Sequence, residues 1–141
     1  MSAYVEWYGG KRTQNWRTPL ALFESLHAEY RFTMDGASEP SNGLLPLAST
    51  AANPIPWHGQ RVFCNPPWSN VRPFVEQMPD AEVAVLLVPA RTNCKWFHRA
   101  LELGATVRFF SPKPRFQGAK HVSPVDCLLL VYASAQRGMA A

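Results

Sequence analysis

A chain of 141 residues is the size of one domain, with enough material for a buried core that needs no disulfide or metal staple. Its 47% hydrophobic and 17% charged residues, without low-complexity stretches, exclude disorder, collagen-like repeats and a coiled coil as the main architecture. The formal net charge of +4 is unevenly placed: Met1 to Gln60 carries four basic and five acidic side chains, and Arg61 onward carries ten basic and five acidic.

A polyanion would meet that second part first; a soluble basic surface without a partner is the other reading of the same charge. The longest apolar runs, Val83 to Ala90 and Cys127 to Ala133, fall short of the ~18–20 residues of a membrane span. Met1 to Arg12 lacks the apolar core of a secretory signal, so a cytoplasmic location is expected. Cys64, Cys94 and Cys127 are odd in number and far apart, which predicts reduced thiols. With no Cys-x-x-Cys pair, and no ligand spacing around His58, His98 or His121, no metal site is predicted.

In chain order, Thr18 can cap a helix and Pro19 suits its first position, after which Leu22, Phe23 and Leu26 repeat at helical spacing to about Glu29. Tyr30 to Met34 alternates and is rich in aromatic and β-branched residues, so it predicts a short strand ending at Asp35-Gly36-Ala37-Ser38. Glu39 to Pro56 predicts a long irregular connection. Arg61 to Cys64 is an apolar strand stopped by Pro66-Pro67, and Val71 to Met78 a short helix. Ala81 to Ala90 predicts a strand buried on both faces. Thr92 or Asn93 can cap the next helix, whose stripe of Phe97, Ala100, Leu101 and Leu103 ends at Gly104. Thr106 to Phe110 and Asp126 to Ala133 read as two more strands around a basic, turn-rich stretch from Ser111 to Pro124.

That order predicts an open α/β sheet, in which ligands bind outside the carboxyl ends of the strands. Three such ends would carry Asp35-Gly36, Asn65-Pro66-Pro67-Trp68 and Pro89-Ala90-Arg91-Thr92.

Asn65-Pro66-Pro67-Trp68 is the sharpest chemical signal. An exocyclic amine on a nucleobase is a poor nucleophile because its lone pair is delocalised into the ring. Two acceptors aimed at its two N–H bonds would draw it out of the plane. The side-chain oxygen of Asn65 can supply one and the backbone carbonyl of Pro66 the other, in a turn stiffened by the two prolines. Each would also stabilise positive charge growing on nitrogen, by roughly 3–4 kcal/mol if oxyanion holes are a guide. Trp68 offers a face on which a base can stack, typically ~1–3 kcal/mol. A strand-ending turn with an incidental aromatic is the plainer alternative. Cys64 sits among apolar neighbours that disfavour a thiolate, so it reads as core packing and not as a covalent nucleophile.

These four residues resemble the [D/N/S]PP[Y/F/W] signature of methyltransferases that use S-adenosylmethionine to modify amino groups. Trp16-x-Thr18-Pro19, Phe32 to Ser38 (FTMDGAS), Val62 to Trp68 (VFCNPPW), Leu87 to His98 (LVPARTNCKWFH) and Pro114 to Gly118 (PRFQG) occur in the order of phage-type, Dam-like DNA N6-adenine methyltransferases. The resemblance runs from about Trp16 to Tyr132.

It implies a reduced Rossmann-like S-adenosylmethionine-dependent methyltransferase fold, α/β with a mostly parallel sheet and helices on both faces. The expected host is a bacterial cell, including one that carries a phage or prophage. Asn65, Pro66, Pro67 and Trp68 would hold a flipped adenine. Asp35, with Gly36 and Ala37, would contact the methionine part of S-adenosylmethionine, Thr18 and Pro19 would close over it, and Asn65 would stand beside it. Arg115 and Phe116 would reach DNA or the target base, and Arg91, Lys95, Lys113 and Lys120 would complete the nucleic-acid surface. Plainer roles stand beside these: Asp35 as a turn former, Thr18 as a helix cap, Arg91 in a surface ion pair, Phe116 in the core.

The chain also departs from the family pattern. The glycine-rich loop is reduced to Asp35-Gly36-Ala37-Ser38, Glu39 is the one candidate for the ribose hydroxyls, and residues 1–141 are expected to form a single domain without a separate target-recognition unit. Selectivity would then come from Ser111 to Pro124 or from a second subunit, with a homodimer among the options. The same chemistry on RNA or a protein glutamine, and a non-catalytic nucleic-acid-binding module on a decayed fold, are the alternative functions.

Overall fold

The computed structural model describes residues 18–38, 44–116, 123 and 125–135. The first helix, α1, spans Leu20–Tyr30 and buries Phe23 and Leu26. Pro19 occupies its cap position, not the first helical position, and no side chain caps the helix end. At the other end Arg31 turns left-handed (φ 53°) and returns its N–H to the carbonyl of His27.

Phe32, expected in a strand, instead lies under this helix end. Its N–H donates to His27 Nδ1 at 3.1 Å, and its ring packs against those of Phe23, His27, Tyr30 and Phe63. Aromatic packing therefore accounts for the signal between Tyr30 and Met34. The first strand, β1, begins four residues later and spans Met34–Ser38. Asp35 and Gly36 accordingly lie within the strand and not at its tip.

Among its described residues, the stretch expected to be irregular contains one strand, β2 (Ala48–Thr50), too short to show a period. The other expected strands form close to where they were read: β3 at Arg61–Cys64, β4 at Val83–Pro89, β5 at Thr106–Arg108 and β6 at Cys127–Ala133. Two further helices, α2 (Arg72–Gln77) and α3 (Lys95–Glu102), connect them. Cys94, not Thr92 or Asn93, takes the cap position of α3, again without a side-chain hydrogen bond.

The sheet runs β2-β1-β3-β4-β6-β5. β1, β2, β3 and β4 pair in parallel; β6 is antiparallel to β4, and β5 is antiparallel to β6. Five strands thus share one direction, and the sheet is mixed. β4 and β6 are apolar at every position and divide their side chains between two cores. Ala84, Leu86, Val88, Leu128 and Leu130 join Phe74 and Val75 of α2 and Phe97 and Ala100 of α3 on one face. Val83, Val85, Leu87, Leu129 and Val131 join Phe23 and Leu26 of α1 on the other. Among the described residues no helix is long and apolar enough to cross a membrane.

Gly36 has a packing reason of its own. A Cβ there would lie 2.6 Å from Trp57 Cζ2 and 2.8 Å from Val62 Cγ1, both side chains being buried. Gly36→Ala is expected to destabilise the fold by about 1–3 kcal/mol through overpacking. Urea unfolding should show a lowered midpoint at unchanged slope.

Candidate functional site

Because β1, β3, β4 and β5 run the same way, their carboxyl ends lie on one edge of the sheet. β3 pairs with β4 as far as Cys64 opposite Leu86, and then the chain reaches Asn65. Proline lacks an N–H, so Pro66 and Pro67 cannot extend that ladder. Both prolines are buried, and the turn beyond them closes with the Asn70 N–H on the Pro67 carbonyl at 2.9 Å. The turn thus uses the carbonyl of Pro67 and not that of Pro66.

Trp68 takes over where the ladder stops. Its Nε1–H donates at 3.3 Å to the carbonyl of Leu87, the β4 residue after the last β3 partner. Its half-buried ring meets Phe116 edge-on, with centroids 5.4 Å apart and planes at 79°. The backbone carbonyl of Trp68 accepts from Arg91 Nη1 at 3.3 Å, which ties the motif to the end of β4.

Asn65 is 9% exposed and Thr18 4%. Asn65 Nδ2 donates to Thr18 Oγ1 at 3.2 Å, joining the residue before α1 to the end of β3. Thr18 is therefore not a helix cap. This contact fixes the Asn65 side chain in place; a hydroxyl can pair with either end of an amide.

Asp35 is buried, and both carboxylate oxygens serve the protein's own backbone: Oδ1 accepts from the Ala37 N–H at 3.1 Å and Oδ2 from the Leu44 N–H at 3.2 Å. Burial raises its pKa from the usual 3.8 to about 6, against the opposing pull of those two hydrogen bonds. Burial, and then the nearby Asp35 charge, hold the Cys64 thiol well above its ordinary range, so it is protonated and inert.

The residues expected around S-adenosylmethionine thus divide. Thr18 and Asn65 are brought together at the carboxyl edge, with Pro19 next in the chain, and their hydroxyl and amide are polar groups that fit a polar cofactor. Asp35 is committed to turning the chain between β1 and β2, and the space beside Gly36 is filled by Trp57. Neither fits as a direct contact.

The basic residues divide as well. Arg91, Lys95, Lys113 and Arg115 are exposed, with Lys113 Nζ 3.0 Å from Asp126. Phe116 is buried and has no surface to offer DNA; it belongs to the α1-side core and braces Trp68. Lys120 lies outside the described residues. The two arms of the β5–β6 connection are joined by the Ser123 N–H on the Pro114 carbonyl at 2.8 Å. That connection, which carries Lys113 and Arg115, meets the motif where Phe116 packs on Trp68.

Sequence reading overlooked Leu44 and Leu87, which act through backbone groups that leave no side-chain signal. It also overlooked Trp57, a lone aromatic in a proline-rich stretch whose burial was its only clue. Among the described residues no three His, Cys, Asp or Glu side chains converge as a metal site.

The buried Asp35 predicts a pH dependence. A carboxyl whose pKa rises on folding contributes stability that is complete below about pH 4 and lost as pH rises through about 6. The amount is about 3 kcal/mol, since each pH unit corresponds to ~1.4 kcal/mol. Asp35→Asn should flatten that part of the profile, checked by urea midpoints of both proteins from pH 4 to 7.

Comparison with known families places the chain: the model described as DNA N-6-adenine-methyltransferase (Dam) matches residues 10–127. No curated protein matches.

Proposed function

The chain belongs to the DNA N-6-adenine-methyltransferase (Dam) family, and from that membership we propose that it methylates N6 of an adenine in DNA, with S-adenosylmethionine as donor. The strand order β2-β1-β3-β4-β6-β5, with one antiparallel strand between β4 and β5, supports reading the fold as a reduced Rossmann-like methyltransferase fold. The observation that carries the reading is the buried Asn65 at the carboxyl edge. Its nitrogen is bonded to Thr18, and the motif's aromatic ring is anchored on β4.

The bound donor would supply an electrophilic methyl on a sulfonium; Thr18, Pro19 and Ala37 are the residues proposed to hold it, with Asn65 standing beside it on the acceptor side. Everything else is done by the acceptor side. An adenine swung out of the duplex, at a cost of a few kcal/mol, would rest against Trp68. Asn65 Oδ1 and the Pro66 carbonyl would accept from its two N6–H bonds. Both acceptors favour a tetrahedral nitrogen, so its lone pair becomes available, and both stabilise the charge it acquires. Holding nitrogen and methyl in contact would contribute most of the rate, of order ~7–11 kcal/mol. Cys64 stays neutral, and no covalent enzyme intermediate is needed.

The duplex would lie on the β5–β6 side, where Lys113 and Arg115 meet phosphates and Arg91 and Lys95 flank the motif. Selectivity would come from that connection or from a second copy of the chain. The commitment of Asp35 and Gly36 to the fold itself favours one second reading, a nucleic-acid-binding module without turnover. Calorimetry with S-adenosylmethionine separates the two, since the module would bind DNA without the cofactor.

Asn65→Ala should lower turnover on DNA by at least ~100-fold with cofactor affinity kept, measured by transfer of labelled methyl. A small effect would remove Asn65 from the reaction. Replacing Lys113 and Arg115 by Gln should weaken DNA binding and reduce the slope of log K against log salt by about one for each phosphate that is no longer neutralised. An unchanged slope would move the duplex to another surface.

A further inference from the structure

Phe116, the aromatic of the β5–β6 connection expected to reach DNA, is buried, but a different ring of the same connection stands in solvent. Phe109, the residue after the last paired position of β5, is 78% exposed, against 1% for Phe116. Both of its neighbours in the chain are tied down. Arg108 binds the Glu29 carboxylate and the Tyr30 hydroxyl, and Phe110 packs on the α1-side core. The Phe109 ring therefore projects from a fixed base.

The surroundings of that ring select a partner. β5 is the outermost strand and runs parallel to β4, so Phe109 leaves the sheet at the carboxyl edge, the same edge that carries Asn65-Pro66-Pro67-Trp68. From β3 to β5 is three strand spacings, roughly 14 Å, comparable with the ~12 Å width of a major groove. Between Leu103 and Val125 the chain has basic side chains and no acidic one, and Lys113 and Arg115 are exposed beyond the ring. The carboxylates nearby are Glu29, on Arg108, and Asp126, on Lys113. An apolar ring beside exposed cations fits a partner with anions outside and stacked rings within, which describes a nucleic-acid duplex. A second copy of this chain would instead set cations against cations.

An adenine that swings out towards this edge leaves a gap in its stack, and apolar side chains, phenylalanine among them, are suited to wedging base steps apart. We propose that Phe109 is such a wedge: it inserts into the base stack of the duplex and holds open the gap from which the target adenine is drawn towards Trp68. This rests on the methyltransferase reading and deepens it, because it adds a residue that acts on the duplex and not on the transferred methyl.

The first measurement needs neither methyl transfer nor a known recognition sequence. A short DNA duplex with a central abasic site already contains a gap, and the same duplex with the base restored does not. By fluorescence anisotropy the full chain should bind the abasic duplex at least ~5-fold more tightly, through the ring that fills the gap. Phe109→Ala should lose that preference with the slope of log K against log salt unchanged, since no charge is removed. Phe109→Trp should keep it, and the urea midpoint of Phe109→Ala should match wild type because the position is exposed. On DNA carrying the mapped target adenine, Phe109→Ala should lose at least ~10-fold in kcat/KM, with the calorimetric Kd for S-adenosylmethionine within ~3-fold of wild type. A 2-aminopurine placed at that adenine should brighten on binding the wild-type chain and stay dim with Phe109→Ala.

An abasic preference that is absent from the wild type, or kept by Phe109→Ala, would overturn the proposal. So would an equal loss of affinity for both duplexes, or a wild-type dimer that Phe109→Ala dissociates in sedimentation while DNA affinity is kept, which would turn the ring towards a second copy. A wild-type chain that transfers no methyl to DNA sinks the methyltransferase reading instead, and the abasic preference still decides whether Phe109 enters the stack.

Discussion

A parallel strand that stops inside a sheet leaves its neighbour with backbone groups that need partners, and much of this molecule is organised around one such stop. β3 ends after Cys64 because two prolines in succession cannot continue a ladder. Buried backbone carbonyls are almost always hydrogen-bonded, so Leu87, the next residue on β4, requires a donor. The indole of Trp68 supplies it, and its ring is thereby fixed at the end of β4. A structural demand of the sheet and a chemical demand of the proposed site are met by the same four residues.

The site is then completed from distant parts of the chain. Thr18 comes from before α1, Phe116 from the β5–β6 connection, and Arg91 from the end of β4. The same long-range stitching recurs behind the site. Arg108 on β5 binds the Glu29 carboxylate and the Tyr30 hydroxyl at the end of α1, with distances of 2.8–2.9 Å, although 78 or more residues separate them. Where an exposed ion pair adds little by itself, a guanidinium nitrogen that meets both carboxylate oxygens and a tyrosine hydroxyl gives α1 a defined seat on the sheet. α1 in turn carries Thr18 at its entrance.

What was legible in the sequence, and what was not, follows from the range of the forces involved. β3, β4 and β6 were readable because each is buried on both faces, and such strands are written as continuous apolar runs. β1 was placed four residues early. Its apparent aromatic alternation at Tyr30 and Phe32 was a packing signal from beneath α1, and local pattern cannot tell one from the other. β2 is three residues long and takes its existence from pairing with β1. The expected cap at Thr18 failed because no local rule knows that its hydroxyl has a partner in Asn65, and those at Thr92 and Asn93 failed because α3 begins later, after Cys94.

The motif Asn65-Pro66-Pro67-Trp68, the strand it terminates and the basic excess of the second part of the chain are properties of the sequence alone, since proline chemistry, apolar runs and formal charge act locally or simply add. The tertiary structure decided the rest. It turned Asp35 inward onto the Ala37 and Leu44 amides, reserved the space at Gly36 for Trp57, and buried Phe116 against Trp68. Each of those outcomes depends on which groups meet across dozens of residues. A side chain's role at such a meeting is set by the partner it finds and by the water it loses, neither of which is written in its neighbours along the chain.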